Sequence, residues 1–210
     1  MTEKTSPNLA AAYALKTPED SLRLYANWAD SYDESFAQAN DYILPRQVAT
    51  QFAAAKGSGP ILDVGAGTGL CAVELTKLDL GPIDGTDISQ DMLDISATKG
   101  VYRRLFTGDL TARLQLENDT YAGITSSGTF TSGHVGPDAI DELLRITQPG
   151  GLLALSINAQ HFVAAGFEAK LAQLAPKITD LRLPQLRFYG KRATGEHKDD
   201  QGYVALFRKR

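Results

Sequence analysis

The run Pro60-Ile61-Leu62-Asp63-Val64-Gly65-Ala66-Gly67-Thr68-Gly69 decides the fold. A short, mostly apolar stretch leads into three glycines at alternate positions, and apolar residues then return from Leu70 to Leu78. An apolar stretch stopped by glycine reads as a buried strand, Pro60 to Val64, and the segment after it as a helix from about Gly69 to Leu78. The glycines let the chain turn sharply between the two and let a ligand lie against bare backbone. The helix that follows turns its positive end toward that ligand. A dinucleotide fingerprint counted from Gly65 requires glycine at position 70, where the chain has Leu70. The Gly-Lys-Ser/Thr of a phosphate-cradling loop is absent as well. Asp63, two positions before the first glycine, repels phosphates and suits a cationic ligand.

Outward from this unit, strand and helix keep alternating. Strands are expected at Pro82 to Thr86, Tyr102 to Phe106, Tyr121 to Ser126 and Gly151 to Ile157. Helices are expected at Gln90 to Lys99, Pro137 to Thr147 and Phe162 to Leu174. Two closing strand-like runs, Leu186 to Tyr189 and Tyr203 to Arg208, have only a charged loop between them and are expected to pair as an antiparallel hairpin at one edge. The pattern predicts an α/β fold with a doubly wound, mainly parallel sheet. Ligands in such sheets sit beyond the carboxyl ends of the strands at the topological switch point. Upstream, Thr17-Pro18-Glu19-Asp20 is a helix start, with a capping hydroxyl, proline at the first turn and acids at the positive end. Leu22, Tyr25, Trp28, Ala29 and Tyr32 follow at helical spacing. Residues 1–56 therefore read as an arm and helices, which the resemblance given below implies to be a lid, and residues 57–210 as the ligand-binding domain, within one structural unit.

Composition narrows the function. The chain has 210 residues, 43% apolar and 22% charged, an ordinary globular balance with room for one sizeable core. No apolar run approaches the ~20 residues that span a bilayer. The polar start, Met1 to Pro7, reads as no signal peptide, which makes the cytoplasm the expected address. A single cysteine, Cys71, excludes an internal disulfide, and His134, His161 and His197 are too scattered to suggest a metal site. The net charge of −4 argues against wholesale nucleic-acid binding. From Lys177 onward nine basic residues face four acidic ones, but apolar positions interleave with them, which reads as a basic edge of an acidic protein.

Two further loops carry chemistry. The second strand ends at Asp87, beside the glycine loop, where a carboxylate accepts from both hydroxyls of a ribose. Ser89 already supplies a cap for the next helix, which frees Asp87 from that role. Ile88 and Met92 offer apolar contact to an adenine face, Met92 serving equally well as core. After the third strand, Asp109 can accept from an adenine amino group, with Leu110 beneath the ring; a plain capping role for Asp109 is the competing reading.

Together, Ile61 to Gly69, Asp87, Gly108-Asp109-Leu110 and Pro149-Gly150-Gly151 resemble a class I S-adenosylmethionine-dependent methyltransferase over about residues 20 to 210. Tyr25 to Asp33, Asp87 to Leu93, Gly100-Val101-Tyr102 and Gly128 to Val135 are similar to one subgroup, the Williams–Beuren-region methyltransferase-like proteins. The resemblance implies a seven-stranded sheet and S-adenosyl-L-methionine as cofactor. It implies that Gly65 and Gly67 line the methionine part, with Asp63 shaping the loop and Gly69 also binding the cofactor, and that Asp87 holds the ribose. It implies that Asp109 and Leu110 hold the adenine, that Ser126 and Ser127 border the sulfonium, and that Tyr25, Trp28 and Tyr32 close over the cofactor. Ala122 stands where the family usually has Asp, far from the site. His134, on the loop after the fourth strand, is the candidate general base, against a capping or backbone-bonding role. The acceptor is expected to be a small molecule methylated at oxygen or nitrogen. An Asn/Asp-Pro-Pro-Tyr run and a Pro-Cys pair are absent, which disfavours DNA. An RNA or protein acceptor, or cofactor binding without turnover, stays open. A nicotinamide-dependent oxidoreductase is disfavoured by Leu70 and by the lack of a Tyr-x-x-x-Lys pair.

Overall fold

The computed structural model describes residues 18–131 and 135–210. Five strands run parallel: β1 (Ile61–Val64), β2 (Ile83–Asp87), β3 (Arg104–Thr107), β4 (Tyr121–Phe130) and β5 (Thr147–Asn158). Three more close the sheet: β6 (Ile178–Arg182), β7 (Gln185–Arg187) and β8 (Gln201–Lys209). The order is β3-β2-β1-β4-β5-β8-β6, with β7 also paired to β8. β6 lies against the end of β8 (Ile178 opposite Lys209) and β7 against its start (Arg187 opposite Gln201). The two occupy one edge position, interrupted at Leu183-Pro184, so eight strands fill the seven positions expected.

Two expectations are corrected. The closing hairpin does form, but β8 inserts between β5 and the edge, and the edge strand is β6 followed by β7. β6 escaped the pattern because Ile-Thr-Asp-Leu-Arg is mostly polar and Asp180 adopts φ +57°. The helix expected over Phe162 to Leu174 is two, separated at Gly166, whose φ of +78° ends one and begins the next.

The helices are α1 (Pro18–Trp28), α2 (Leu44–Ala54), α3 (Leu70–Thr76), α4 (Gln90–Ala97), α5 (Ala139–Ile146), α6 (Ala159–Ala164) and α7 (Phe167–Gln173). A 3-10 turn (Ala29–Ser31) and a π-helical turn (Tyr32–Gln38) continue from α1. Alternate strand residues serve opposite faces of the sheet. Leu62, Val64, Leu153 and Leu155 pack with Ile140, Leu143 and Phe167 of α5 and α7. Ile61, Leu152 and Ala154 pack with Val48, Phe52 and Leu75 of α2 and α3. Both faces are covered, as a parallel sheet requires. β1 and β4 are neighbours, and the chain leaves β1 toward β2 but leaves β4 toward β5 in the opposite direction, so a crevice opens at their carboxyl ends. No helix among the described residues is long and apolar enough to cross a membrane.

Candidate functional site

The crevice is built on the glycine loop. Gly65 and Gly67 have φ of +66° and +53°, and both line the cavity. A methyl group on Gly65 would lie 1.9 Å from Thr129 Oγ1, so this backbone is pressed against β4. The same addition at Gly67 meets nothing within 4 Å, because its open side faces the cavity. Gly69 does not line the cavity. It precedes α3 in the left-handed region, under the Tyr102 ring.

Asp87, at the end of β2, grips this loop from below. Its Oδ2 accepts from Gly67 N at 2.8 Å and its Oδ1 from Ser89 N at 2.9 Å. Burial lifts its carboxyl above the usual range, against the downward pull of those backbone donors. Each oxygen keeps a further lone pair, and the carboxylate lines the cavity. Ile88, 37% exposed, and Met92, nearly buried, flank it. Asp109 and Leu110 follow on the β3 side. Asp109 Oδ1 accepts from Thr111 N and Thr111 Oγ1 at 2.8 and 2.7 Å, so the residue both caps its turn and faces the cavity.

Asp63 turns the other way. It is buried beneath the loop and accepts from Tyr102 Oη at 2.9 Å and Thr125 Oγ1 at 3.1 Å. Burial pushes its carboxyl up to about 6, despite those hydroxyl donors. It supports the loop rather than lining the cavity. Ser126 is likewise withdrawn: its Oγ donates to Val64 O at 2.9 Å, and only its neighbour Ser127 reaches the cavity. Successive strand residues face opposite ways, and one position separates the two roles.

The N-terminal segment forms the roof. Tyr25 and Tyr32 line the cavity, whereas Trp28 is fully buried behind them, edge-on to Tyr25 and stacked on Phe36. Asp33 latches this roof to the glycine loop. It accepts from Thr68 Oγ1 at 2.6 Å and from Lys99 Nζ at 2.7 Å, and the same ammonium donates to Thr68 O. The pair is largely sheltered from water, which strengthens it relative to an exposed one.

The far wall carries residues that the sequence did not single out. Tyr42 bridges to Tyr189 across the end of the sheet, Ile43 N donates to Phe188 O, and Asp41 pairs with Arg192. This brings Tyr42, Phe188 and Tyr189 to one side of the cavity, above Ser156 and Asn158 of β5. Tyr25, Tyr32 and Tyr42 are buried enough to hold their phenols well above the ordinary range, so these walls are uncharged. His134 lies outside the described residues. His161 bonds Val135 O through Nε2 at 2.9 Å, and His197 pairs with Asp200. Among the described residues no group of His, Cys, Asp and Glu is arranged to hold a metal.

A family model described as a methyltransferase domain matches residues 61–151. Methyltransferase-like protein 27 of Homo sapiens is 33% identical over 151 residues, which are 70% of this chain. They are 61% of that protein, so the chain spans about three fifths of its length. Demethylmenaquinone methyltransferase of Mycobacterium tuberculosis is 29% identical over 170 residues, 78% of this chain and 70% of that protein. The solved structure of a TehB-like SAM-dependent methyltransferase from Corynebacterium glutamicum shares the fold with a TM-score of 0.61 at 20% identity, covering 89% of this chain and 98% of that one.

Proposed function

We infer that the chain belongs to the class I S-adenosylmethionine-dependent methyltransferases, and from that premise we propose that it methylates an oxygen or nitrogen of a small molecule, with S-adenosyl-L-methionine as donor. The observation that carries this reading is the position of Asp87. Its carboxylate is fixed by Gly67 N and Ser89 N and still faces the cavity with free acceptor sites, as holding a ribose diol requires. The loop above it fits the same ligand: Gly67 leaves open space where a side chain would intrude. Asp109 and Leu110 suit the adenine, one by hydrogen bonding and the other by apolar contact. Ser127 borders the methyl-bearing end, and Tyr25 and Tyr32 exclude water above it.

When bound, the sulfonium supplies a methyl carbon already activated for attack. The protein's task is then positioning: to hold the acceptor atom in line, about 3 Å away, in a dry cavity. The segment 18–56 serves as the lid, and the Asp33–Lys99–Thr68 latch keeps it on the glycine loop.

Calorimetric titration with S-adenosylmethionine and S-adenosylhomocysteine tests the reading. Micromolar-range binding is expected, weakened by about 2 kcal/mol or more (roughly 30-fold) in Asp87→Ala, for the loss of two charge-assisted hydrogen bonds. Binding of nicotinamide dinucleotides in place of either ligand would overturn it.

A further inference from the structure

The cavity is divided in its chemistry. On the cofactor side stand its only described carboxylates, Asp87 and Asp109. On the far side stand Phe36, Tyr42, Phe188 and Tyr189, with Ser156 and Asn158 at their feet. No lysine, arginine or histidine is among the described lining residues. A bound carboxylate or phosphate would find no protein counter-charge among the described lining residues. A bound ammonium would sit near the sulfonium with no acid of its own. Aromatic walls without compensating charge favour a flat, apolar, uncharged body.

Asn158 supplies the polar handle. Its Oδ1 is committed as the cap of α6, accepting from Gln160 N at 2.9 Å and His161 N at 3.2 Å. An amide held by its oxygen has its nitrogen fixed as well. Nδ2 donates to no protein acceptor among the described residues, is not sealed from solvent, and belongs to a residue that lines the cavity. It is a preset, uncharged donor. Ser156, two residues earlier on the same face of β5, has its Oγ occupied by Gly128 N at 2.9 Å.

We propose that this half of the cavity takes an uncharged aromatic ring bearing an oxygen substituent, with the ring against Tyr42 and Phe188 and the oxygen accepting from Asn158 Nδ2. The inference rests on the methyltransferase reading and names its acceptor class: phenols rather than amines, amino acids or phosphorylated molecules, the O–CH3 bond forming as the S–CH3 bond breaks, with S-adenosylhomocysteine leaving and the phenolic proton passing to water.

The experiment uses the full chain saturated with S-adenosylhomocysteine and three probes sharing one ring system: 2-methoxynaphthalene, 2-naphthoate and 2-naphthylmethylammonium. Ligand-observed NMR titration reads their affinities. The neutral ether is expected to bind at least about tenfold more tightly than either ion. Asn158→Asp keeps an oxygen for the helix cap but removes the donor, so it weakens the ether about tenfold and leaves S-adenosylhomocysteine affinity unchanged. Asn158→Ser, which also retains a cap, gives the same loss without a new charge. An ion binding as tightly as the ether, no binding of any probe, or an ether affinity indifferent to both variants overturns the inference while the cofactor still binds. Failure of S-adenosylhomocysteine to bind overturns the reading beneath it, and the inference with it.

Discussion

Asp63→Asn isolates one buried carboxyl, and its effect on folding can be worked out from the structure. Asp63 has two hydroxyl donors and no cation beside it, so burial dominates and raises its pKa from the ordinary 3.8 to about 6. The folded carboxyl therefore keeps its proton up to about pH 6, whereas the unfolded one releases it near 3.8. Between those values the folded state binds more protons, and stability falls as pH rises. At 1.36 kcal/mol per pH unit the full loss is about 3 kcal/mol, complete above pH 6. Asparagine has the same shape and cannot ionise, but it replaces one acceptor with a donor, at a cost of about 1 kcal/mol. The variant is thus expected to be about 1–2 kcal/mol more stable than the parent at pH 7.5, and equal or less stable at pH 4.5. Urea unfolding at half-unit pH steps measures the difference between the two chains, in which the other carboxylates cancel. Parallel stability curves across pH 4.5–7.5 would refute the argument.

Asp84 predicts the opposite slope. It is buried at the far end of the sheet, and although burial acts upward, the bidentate Arg103 and the Tyr121 hydroxyl hold it below its ordinary value. Its contribution is present at neutral pH and fades as pH falls through the folded pKa, so Asp84→Asn should destabilise by about 2 kcal/mol at pH 7 and less at pH 3 by urea unfolding, with cofactor affinity unmoved. Gly65→Ala should cost about 3 kcal/mol, from the left-handed backbone together with displacement of Thr129, while Gly67→Ala costs only the backbone share of about 1 kcal/mol; paired thermal melts distinguish them. Lys99→Met severs the latch from Asp33 and Thr68 and should lower S-adenosylhomocysteine affinity about three- to tenfold by calorimetry, with Lys99→Arg retaining part of it.

The legible part of this molecule is the part that local signals write. Alternating glycines after an apolar strand specify the turn, and Asp87 is found by its place at the end of the next strand. Local signals do not write which way a side chain faces, because there a small change of register decides. Ser126 and Ser127 look alike in sequence, yet pleating sends the first to Val64 and only the second to the cavity. Tyr25 and Trp28 share a helix, but the roof buries Trp28 against Phe36. Asp63 precedes the glycines as Asp87 precedes its own loop, but the side chain of Asp63 faces Tyr102 and Thr125 inside the sheet.

The far wall had no local signal at all. Tyr42 lies in a connector between helices, Asn158 ends a strand as an ordinary helix cap, and Phe188 sits near the chain's basic end. Only the pairing of residues 41–43 with 188–190 makes them neighbours. This division has a physical root. A cofactor common to many proteins is met by short backbone devices that recur in sequence, because its diol, ring and methionine group impose the same demands each time. An acceptor is met by side chains gathered from distant segments, whose chemistry appears only after the sheet has closed. The neutral aromatic wall and the single preset amide of Asn158 are that second kind of information. The proposed acceptor class is read from them, and no motif in the chain encodes them.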